Sequence, residues 1–190
     1  MSILSIHSSV AHGYVGNAGV VPVLQRLGYD VWPVDTVRFS NHPGHGAWRG
    51  KVIAAREVAE IITGLDEHGL FPACQAVLSG YLGKTATATV VAETVARLRS
   101  ASGGAALYCC DPVIGDDAEG LYVPVAVAKA IAARLIPIAD IIVPNAFELA
   151  YFSGHALEGT YGIDDLTTAC AAARVLLAKG PRLVVATSVP

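Results

Sequence analysis

Residues 76–110, AVLSGYLGKTATATVVAETVARLRSASGGAALYCC, contain one complete strand–helix–strand unit. The apolar run Ala76–Ser79 predicts a strand, and the run Ala106–Cys110 predicts a second one. Between them, small or branched apolar residues recur at helical spacing: Ala88, Val91, Ala92 and Val95. Because two strands joined through a helix favour parallel pairing, this stretch indicates an α/β fold.

The same alternation of apolar runs and helical periodicity extends over the rest of the chain. Four further runs predict strands: Ile3–His7, Val31–Val37, Asp140–Val143 and Leu183–Thr187. Two further helices are predicted, from Val58, Ile61, Ile62 and Leu65, and from Leu166, Ala169, Cys170 and Ala173. The last helix is bounded by Asp164 as N-cap and by the stop signal Lys179-Gly180-Pro181. This order predicts an α/β, three-layer αβα sandwich with a mainly parallel sheet, whose ligands bind at the carboxyl ends of the strands.

Composition excludes several classes of protein. Of the 190 residues, 53% are hydrophobic and 15% are charged, so the chain can bury enough apolar surface to fold, and intrinsic disorder is excluded. The length suits one domain, residues 1–190. A net charge of −3 without a basic block argues against nucleic acid as a partner. The scarcity of charge on so apolar a chain favours a homodimer that shares apolar surface.

The sequence also predicts where the protein resides. The N-terminus lacks the basic region of a signal peptide, and no apolar run reaches the roughly eighteen residues of a membrane span, so we expect a cytoplasmic protein without membrane contact. The cysteines have neither metal-ligand spacing nor a C-x-x-C motif. We expect all four to be buried thiols in a reducing cytoplasm: Cys74, Cys109, Cys110 and Cys170.

Two polar segments follow predicted strands. Asp111-Pro112 closes one strand, and Gly115-Asp116-Asp117 follows at once. A sparse cluster of carboxylates suits Mg²⁺, although Asp, Pro and Gly are also common turn residues, and the segment leaves both interpretations open. After the next strand, Asn145 and Glu148 are either a helix capping box or groups that meet a nucleotide phosphate through a metal or water. The residues alone do not separate these alternatives.

Two other motifs have simpler interpretations. Residues 80–85, GYLGKT, are similar to the end of a P-loop, but Leu78 stands where the first glycine is required, so a P-loop is rejected. His42 and His45 lack a third metal ligand of suitable spacing, and we expect them to be loop residues that face solvent or substrate. Both lie within Phe39–Gly50, a long irregular segment that we expect to be a substrate flap.

A set of short motifs occurs together and in a recognisable order: SIHS at 5–8, GYVGN at 13–17, VRFSNH at 37–42, LSGY at 78–81, CDPVIGD at 110–116 and PNAFE at 144–148. In combination and order they resemble the pyridoxal kinases, a branch of the ribokinase-like vitamin kinases. The resemblance runs from about Ile3 to Ser188, nearly the whole chain. It implies a ribokinase-like α/β sandwich that phosphorylates a vitamin hydroxyl with Mg-ATP.

The resemblance implies a site for pyridoxal and related B6 vitamers. Ser8 would meet the polar edge of the pyridine ring. Branched and aromatic walls suit a flat, substituted pyridine, and three residues would pack on the ring: Val37, Phe39 and Tyr81. The flap would add His42, Pro43 and Gly44. Relatives commonly have Thr where Pro43 stands, and Pro43 offers neither a hydroxyl nor a backbone N–H.

The resemblance also implies an ATP site at seven positions: Asp111, Asp116, Val143, Asn145, Glu148, Thr187 and Ser188. Asp111 and Glu148 would hold Mg²⁺ through water, with ATP as co-substrate, and a monovalent cation is a further candidate. Residues 117–122 would be part of a lid that folds over ATP and excludes water from the transferring phosphoryl group.

In the family that this sequence resembles, the chain continues beyond the position of Pro190 into a Gly-x-Gly-Asp segment. Its Asp is the base for the substrate 5′-hydroxyl, and its N–H groups stabilise the phosphoryl group in flight. The resemblance therefore implies a C-terminally incomplete fold without a catalytic base in residues 1–190. The implied activity is ATP-dependent 5′-phosphorylation of pyridoxal. The alternatives are a non-catalytic vitamin B6-binding homologue and a hydroxymethylpyrimidine kinase, the latter disfavoured by residues 39–42 and 79–81.

Overall fold

The structure is a computed structural model, and it describes residues 1–157, 160–161 and 163–189. The chain divides into two compact units, Met1–Tyr108 and Cys109–Pro190, which are described in turn. The expectation of one domain, residues 1–190, stays a prediction.

The first unit is built on parallel strands. Its elements are β1 (Ser2–His12), α1 (Asn17–Arg26), β2 (Asp30–Asn41), β3 (Gly50–Val52), α2 (Ala55–Glu67), β4 (Cys74–Ser79) and α3 (Thr85–Ala101). The strands lie in the order β4-β1-β2-β3, so β1 has a neighbour on each side. β1 is parallel to β2 and to β4, and β3 is antiparallel to β2. Parallel neighbours bring the carboxyl ends of β1, β2 and β4 to the same edge of the sheet.

The predicted helices pack by the predicted faces. α2 buries Val58 and Ile62, and α3 buries Ala88, Val91 and Val95. Ile61 is an exception to the expected pattern, because 51% of its surface is exposed. Under the helices, β1 buries the two apolar side chains of Leu4 and Ile6 completely. Burial of a side chain of this size stabilises the fold by about 1.5–3 kcal/mol.

The interpretation of Phe39–Gly50 as wholly irregular is wrong at its ends. β2 extends past Val37 to Asn41, and residues Gly50–Val52 return antiparallel to it as β3, with Pro43–His45 forming a 3₁₀ turn. The extension follows strand alternation, since Phe39 is buried while its neighbours Arg38 and Ser40 are exposed. The loop is therefore a β2–β3 connection that is fixed at both ends by backbone pairing.

The second unit also contains parallel strands. Its elements are β5 (Leu107–Cys110, which begins in the first unit), β6 (Gly115–Asp116), β7 (Gly120–Leu121), α4 (Val125–Ala130), β8 (Ile141–Ile142), α5 (Ala146–Ser153), β9 (Ala156–Leu157), β10 (Thr160–Tyr161), α6 (Leu166–Leu177) and β11 (Leu183–Val184). β8 is parallel both to β5, through Cys109 and Cys110, and to β11. β6 with β7, and β9 with β10, form small antiparallel pairs.

Two expectations about α6 are wrong. The N-cap is Asp165 rather than Asp164, because the Asp165 Oδ1 accepts the backbone N–H of Thr168 at 2.8 Å. The buried face also differs from the expected one: it consists of Ala169, Ala172 and Leu176, whereas Leu166 and Cys170 are exposed. Small apolar residues surround most of this helix, so spacing alone did not identify its buried side.

The cysteine prediction is therefore correct only in part. Cys74 and Cys110 are buried and Cys109 is half-buried, but Cys170 is exposed because it lies on the outer face of α6. All four are free thiols. Among the described residues, no helix combines the length and apolar character that crossing a bilayer requires.

All six predicted strands are present, as β1, β2, β4, β5, β8 and β11, and the strands β3, β6, β7, β9 and β10 were not anticipated. Strands joined through helices form a mostly parallel, mixed sheet. The predicted class, a three-layer αβα sandwich with a mainly parallel sheet, is confirmed.

The turn after α6 provides a test of the fold. Gly180 has φ 144°, and a Cβ at this position would lie 2.5 Å from the Pro137 carbonyl oxygen. Gly28 also has a positive φ, of 89°, but an added Cβ there would meet nothing within 4 Å. Gly180→Ala should therefore reduce the free energy of unfolding by about 1–3 kcal/mol more than Gly28→Ala does, as overpacking adds to backbone strain. Urea unfolding followed by circular dichroism measures both losses, and equal losses would contradict the packing at Gly180.

Candidate functional site

The first unit brings three of the expected vitamin-binding residues together: Val37, Phe39 and Tyr81. Val10 on β1 pairs with Phe39 on β2, and these two side chains form a buried cluster with Val37. Tyr81, which follows β4, is half-buried and packs against the same cluster. Residues from three neighbouring strand ends thus build one aromatic and branched surface, the type that a flat heterocycle requires. Its exposed area comes from half-buried Tyr81 and from the edge of Phe39, whereas Val37 is fully buried and supports the surface from inside.

Trp48 belongs to this surface and was missed by sequence reasoning. Its ring centroid lies 4.2 Å from that of Phe39, with the planes inclined by 38°. Trp48 is 44% exposed, so its indole covers the outer side of Phe39 and still faces solvent. A large aromatic residue in a loop that follows an aromatic strand end is a signal that could have identified it.

The remaining flap residues lie on the β2–β3 connection. The His42 Nδ1 accepts the N–H of Gly44 at 3.2 Å and so caps the Pro43–His45 turn. The rings of His42 and His45 meet edge to face with centroids 5.5 Å apart. Pro43 and Gly44 are exposed. Within residues 1–157, 160–161 and 163–189, no group of three His, Cys, Asp or Glu side chains could hold a metal ion.

Ser8 lies on β1 where the following loop folds back over the strand. Ser9 forms an antiparallel bridge with Gly16, and a Cβ on Gly16 would lie 2.1 Å from the Ser8 carbonyl oxygen. Gly16 also has φ 58°, so both space and conformation require glycine. The glycine of the GYVGN motif thus allows the start of α1 to approach Ser8 closely.

Asn17, the first residue of α1, holds the start of this helix against β1 and β2. Its side chain is buried, with Oδ1 accepting the Ser5 hydroxyl at 2.7 Å and Nδ2 donating to the Asp35 Oδ1 at 2.9 Å. Ser5 is on β1 and Asp35 is on β2, so one amide connects both strands to the helix. A buried polar group with satisfied hydrogen bonds specifies a single arrangement of these elements.

Glu148 is the centre of the corresponding cluster in the second unit. It is only 2% exposed, and its Oε1 and Oε2 accept the backbone N–H groups of Ile114 and Asn145, each at 2.9 Å. The Asn145 Oδ1 in turn accepts the N–H of Glu148 at 2.8 Å, which completes a capping box at the start of α5. The Asn145 Nδ2 donates to the Gly115 carbonyl at 2.8 Å. Of the alternatives left open, the capping box is therefore present.

Burial raises the pKa of Glu148 from 4.5 to about 7, because desolvation outweighs the opposing backbone hydrogen bonds. The charge of Asp111, which follows β5, is one of the smaller causes of this rise in the pKa of Glu148. The same charge adds to burial in raising the pKa of Cys109 to about 11. Two carboxylates that interact in this way suit a divalent cation. Since both Glu148 oxygens already accept N–H groups, Glu148 would reach such a cation through water.

Asp116 stabilises the β6–β7 hairpin. Its Oδ1 accepts the N–H groups of Ala118 at 2.9 Å and Glu119 at 2.7 Å. Gly115 permits the close return of the chain, because a Cβ there would lie 2.2 Å from the Gly120 carbonyl oxygen. The segment expected to be a lid, residues 117–122, is thus the tip and second strand of this hairpin.

Three further positions of the expected ATP site follow strands: Val143, Thr187 and Ser188. Val143 follows β8, and its N–H donates to the Cys110 carbonyl at 2.9 Å. Thr187 follows β11, bridges Asn145 in a parallel sense and donates its N–H to the Pro144 carbonyl at 2.9 Å. Ser188 is exposed and has φ 54°, in the left-handed region. The expected nucleotide residues thus lie after β5, β8 and β11, three neighbouring strands.

Comparison with known proteins identifies the family. A model of the phosphomethylpyrimidine kinase family matches residues 71–189. The chain belongs to the phosphomethylpyrimidine kinase family. Within this family it is similar to the pyridoxal kinases PdxY of Rubrobacter xylanophilus, at 46% identity over 99% of this chain and 62% of the relative, and of Leifsonia xyli, at 46% over 100% and 64%. The chain therefore spans less than two thirds of the length of these curated relatives.

Solved structures agree with this membership. The pyridoxal kinase from Leishmania donovani in complex with ADP and pyridoxamine has a TM-score of 0.88 and 35% identity, over 96% of this chain and 62% of that chain. The resemblance to pyridoxal kinases and the ribokinase-like fold are confirmed. The roles of individual residues in this family member stay predictions.

The buried carboxyl of Glu148 should make stability depend on pH. Its pKa rises from 4.5 to about 7 on folding, so the folded chain retains a proton that the unfolded chain releases in this range. The free energy of unfolding should therefore fall as pH rises through this window, by roughly 3 kcal/mol. In Glu148→Gln this fall should be absent, while Glu119→Gln, at an exposed hairpin position, should keep it. Urea unfolding at several pH values measures the slope, and equal slopes in wild type and Glu148→Gln would refute the assignment.

Proposed function

We propose that the chain functions as an ATP-dependent pyridoxal kinase, which transfers the γ-phosphoryl group of ATP to the 5′-hydroxyl of pyridoxal and forms pyridoxal 5′-phosphate in vitamin B6 salvage. The observation that carries the proposal is the surface of Val37, Phe39 and Tyr81 in the same unit as the Ser8 hydroxyl. The names of the similar curated relatives, pyridoxal kinase PdxY, support the same activity.

On the vitamin side, the proposal assigns a different interaction to each part of the ring. Tyr81 and the edge of Phe39 would form the apolar contacts with its faces, and the fully buried Val37 would support them rather than pack on the ring itself. The Ser8 hydroxyl would hydrogen-bond its polar edge. Trp48 extends the apolar contact beyond Phe39. His42, Pro43 and Gly44 close over the substrate from the β2–β3 connection, which is anchored at both ends.

On the nucleotide side, the second unit binds Mg-ATP. Asp111 and Glu148 would hold Mg²⁺ through water, and the ion would neutralise developing charge on the phosphates during transfer. The backbone N–H groups on Glu148 keep its carboxylate in a fixed orientation for that role. The other nucleotide contacts come from Asp116, Val143, Asn145, Thr187 and Ser188, and a monovalent cation is a further candidate in this unit.

Two broader features complete the proposal. A homodimer would cover part of the apolar surface of a chain that is 53% hydrophobic. A reducing compartment, the cytoplasm, fits four thiols that are all free.

A second candidate is hydroxymethylpyrimidine kinase, which is favoured by the description of the matching family model, phosphomethylpyrimidine kinase. The aromatic contact of Phe39 with Trp48 favours the more apolar pyridine of vitamin B6 over an aminopyrimidine. The two substrates compete for one surface, so relative affinity and turnover discriminate between the activities.

The direct experiment is product formation by the purified chain. Pyridoxal with Mg-ATP should yield pyridoxal 5′-phosphate, resolved by chromatography, through a base other than the Gly-x-Gly-Asp carboxylate of the family. Hydroxymethylpyrimidine should be a weaker substrate and competitor. Preference for the pyrimidine would establish the second candidate instead. Vitamin binding that is independent of Mg-ATP, without phosphorylated product, would replace the kinase by a vitamin-binding protein.

Substitutions of Asp111 and of Ser8 should weaken the binding of different ligands. Asp111→Asn should weaken Mg-ADP binding by at least about tenfold and leave the affinity for pyridoxine within about twofold, because it removes a charge on the nucleotide side only. Ser8→Ala should do the reverse. Pyridoxine is the suitable vitamer because it lacks the aldehyde that reacts with lysines. Isothermal titration of both ligands against both variants measures this, and parallel losses of the two ligands in either variant would contradict the assignment.

A further inference from the structure

The imidazole of His7 lies directly behind the proposed vitamin-binding residues and has no role in the function proposed above. His7 is on β1 and only 7% exposed. Its Nδ1 accepts the backbone N–H of Ser8 at 2.8 Å and that of Tyr81 at 3.3 Å. The Ser8 hydroxyl oxygen lies 3.2 Å from the same nitrogen. One ring nitrogen therefore contacts two expected vitamin-side residues, Ser8 on β1 and Tyr81 after β4.

These contacts determine which nitrogen of the ring carries a hydrogen. Two backbone N–H groups point at Nδ1, and a nitrogen that carries a hydrogen cannot accept them. These two hydrogen bonds therefore require the tautomer of His7 that carries its hydrogen on Nε2. A bare Nδ1 can only accept from the Ser8 hydroxyl, which turns that proton toward His7 and directs the oxygen lone pairs elsewhere.

The chain around His7 is shaped to hold the ring. A Cβ on Gly80 would lie 2.0 Å from the His7 Nε2 and 2.2 Å from its Cδ2, so the imidazole packs against the Gly80 backbone. The peptide of Tyr81 is fixed on both sides, because its N–H donates to His7 and its carbonyl accepts the Thr36 hydroxyl. Gly80 itself donates its N–H to the Ile6 carbonyl at 3.0 Å.

We propose that His7 is a positioning residue for the vitamin site: its unprotonated Nδ1 orients the Ser8 hydroxyl as a hydrogen-bond acceptor toward the ligand and holds Tyr81 beside it. The proposal rests on the proposed function, in that the ligand is a B6 vitamer. It assigns the site a preference for ligands that present a hydrogen-bond donor at the ring edge facing Ser8. His7 touches no ligand in this role and acts through its two neighbours.

The first test needs no variant. Long-range ¹H–¹⁵N correlation spectra of the wild-type chain report which imidazole nitrogen carries the hydrogen. At neutral pH, His7 should show the neutral Nε2–H form. The Nδ1–H form or the imidazolium would overturn the proposal, whether or not the chain binds a vitamer.

The second test measures pyridoxine affinity by titration. His7→Leu removes the acceptor and should weaken binding by about tenfold, the effect of losing one oriented hydrogen bond. His7→Asn carries an oxygen acceptor near the position of Nδ1 and should recover most of that loss. Mg-ADP affinity should be unchanged in both. His68→Leu, at an exposed position after α2, is the matched control and should bind both ligands like wild type.

Gly80→Ala tests the same contact from the opposite side, since its methyl group would displace the imidazole. It should weaken pyridoxine binding like His7→Leu, whereas Gly64→Ala, where an added Cβ meets nothing within 4 Å, should not. In a double-mutant cycle, His7→Leu should cost less in a Ser8→Ala background than alone.

The outcomes distinguish a failure of the proposed function from a failure of the positioning role of His7. If wild type does not bind pyridoxine, the proposed function is wrong, and the spectra still report on His7. If wild type binds but His7→Leu, folded by circular dichroism, binds equally well, the positioning role alone is wrong. Should His7→Leu not fold, the comparison of His7→Asn with Gly80→Ala decides: equal affinity in these two variants would overturn the proposal.

Discussion

Parallel pairing of β1 with β2 on one side and with β4 on the other is the constraint from which the first unit follows. Parallel strands end at a common edge of the sheet, so the residues at and after the ends of these three strands meet there even though they lie far apart in sequence. Val10, Phe39 and Tyr81 become neighbours for this reason. The buried amide of Asn17 connects β1, β2 and α1 and keeps the strands in this register.

In the second unit, parallel strands also end close together, here around the buried carboxyl group of Glu148. β5, β8 and β11 are parallel, and the loops that follow β5 and β8 are held together by hydrogen bonds to one carboxylate and one amide, those of Glu148 and Asn145. A buried carboxyl is costly to ionise, which is why its pKa is raised even though two N–H groups stabilise the charge. Of the two interpretations that the sequence left open, the helix cap is present, and the contact of Glu148 with a cation through water stays a prediction.

Much of this could be predicted from the sequence, and the rest could not for identifiable reasons. Apolar runs located all six strands, and Asn145 and Glu148 were correctly recognised as a possible capping box. The sequence did not reveal β3, because Gly50–Val52 is a short edge strand that is stabilised by pairing with β2 rather than by its own pattern. The contact of Trp48 with Phe39 and those of His7 with Ser8 and Tyr81 depend on tertiary structure, which no local period encodes. The exposed face of α6, with Cys170, was misjudged because small apolar residues surround the helix.

The proposed function divides the ligands between the two units: the first binds the vitamin and the second binds the nucleotide. Amide chemical-shift mapping of the ¹⁵N-labelled chain, titrated separately with pyridoxine and with Mg-ADP, tests it most directly. Pyridoxine should shift the amides of Ser8, Phe39 and Tyr81, and Mg-ADP should shift those of residues 111–116 and 143–148. Pyridoxine shifts that are confined to the second unit, or nucleotide shifts that are confined to the first, would contradict the account.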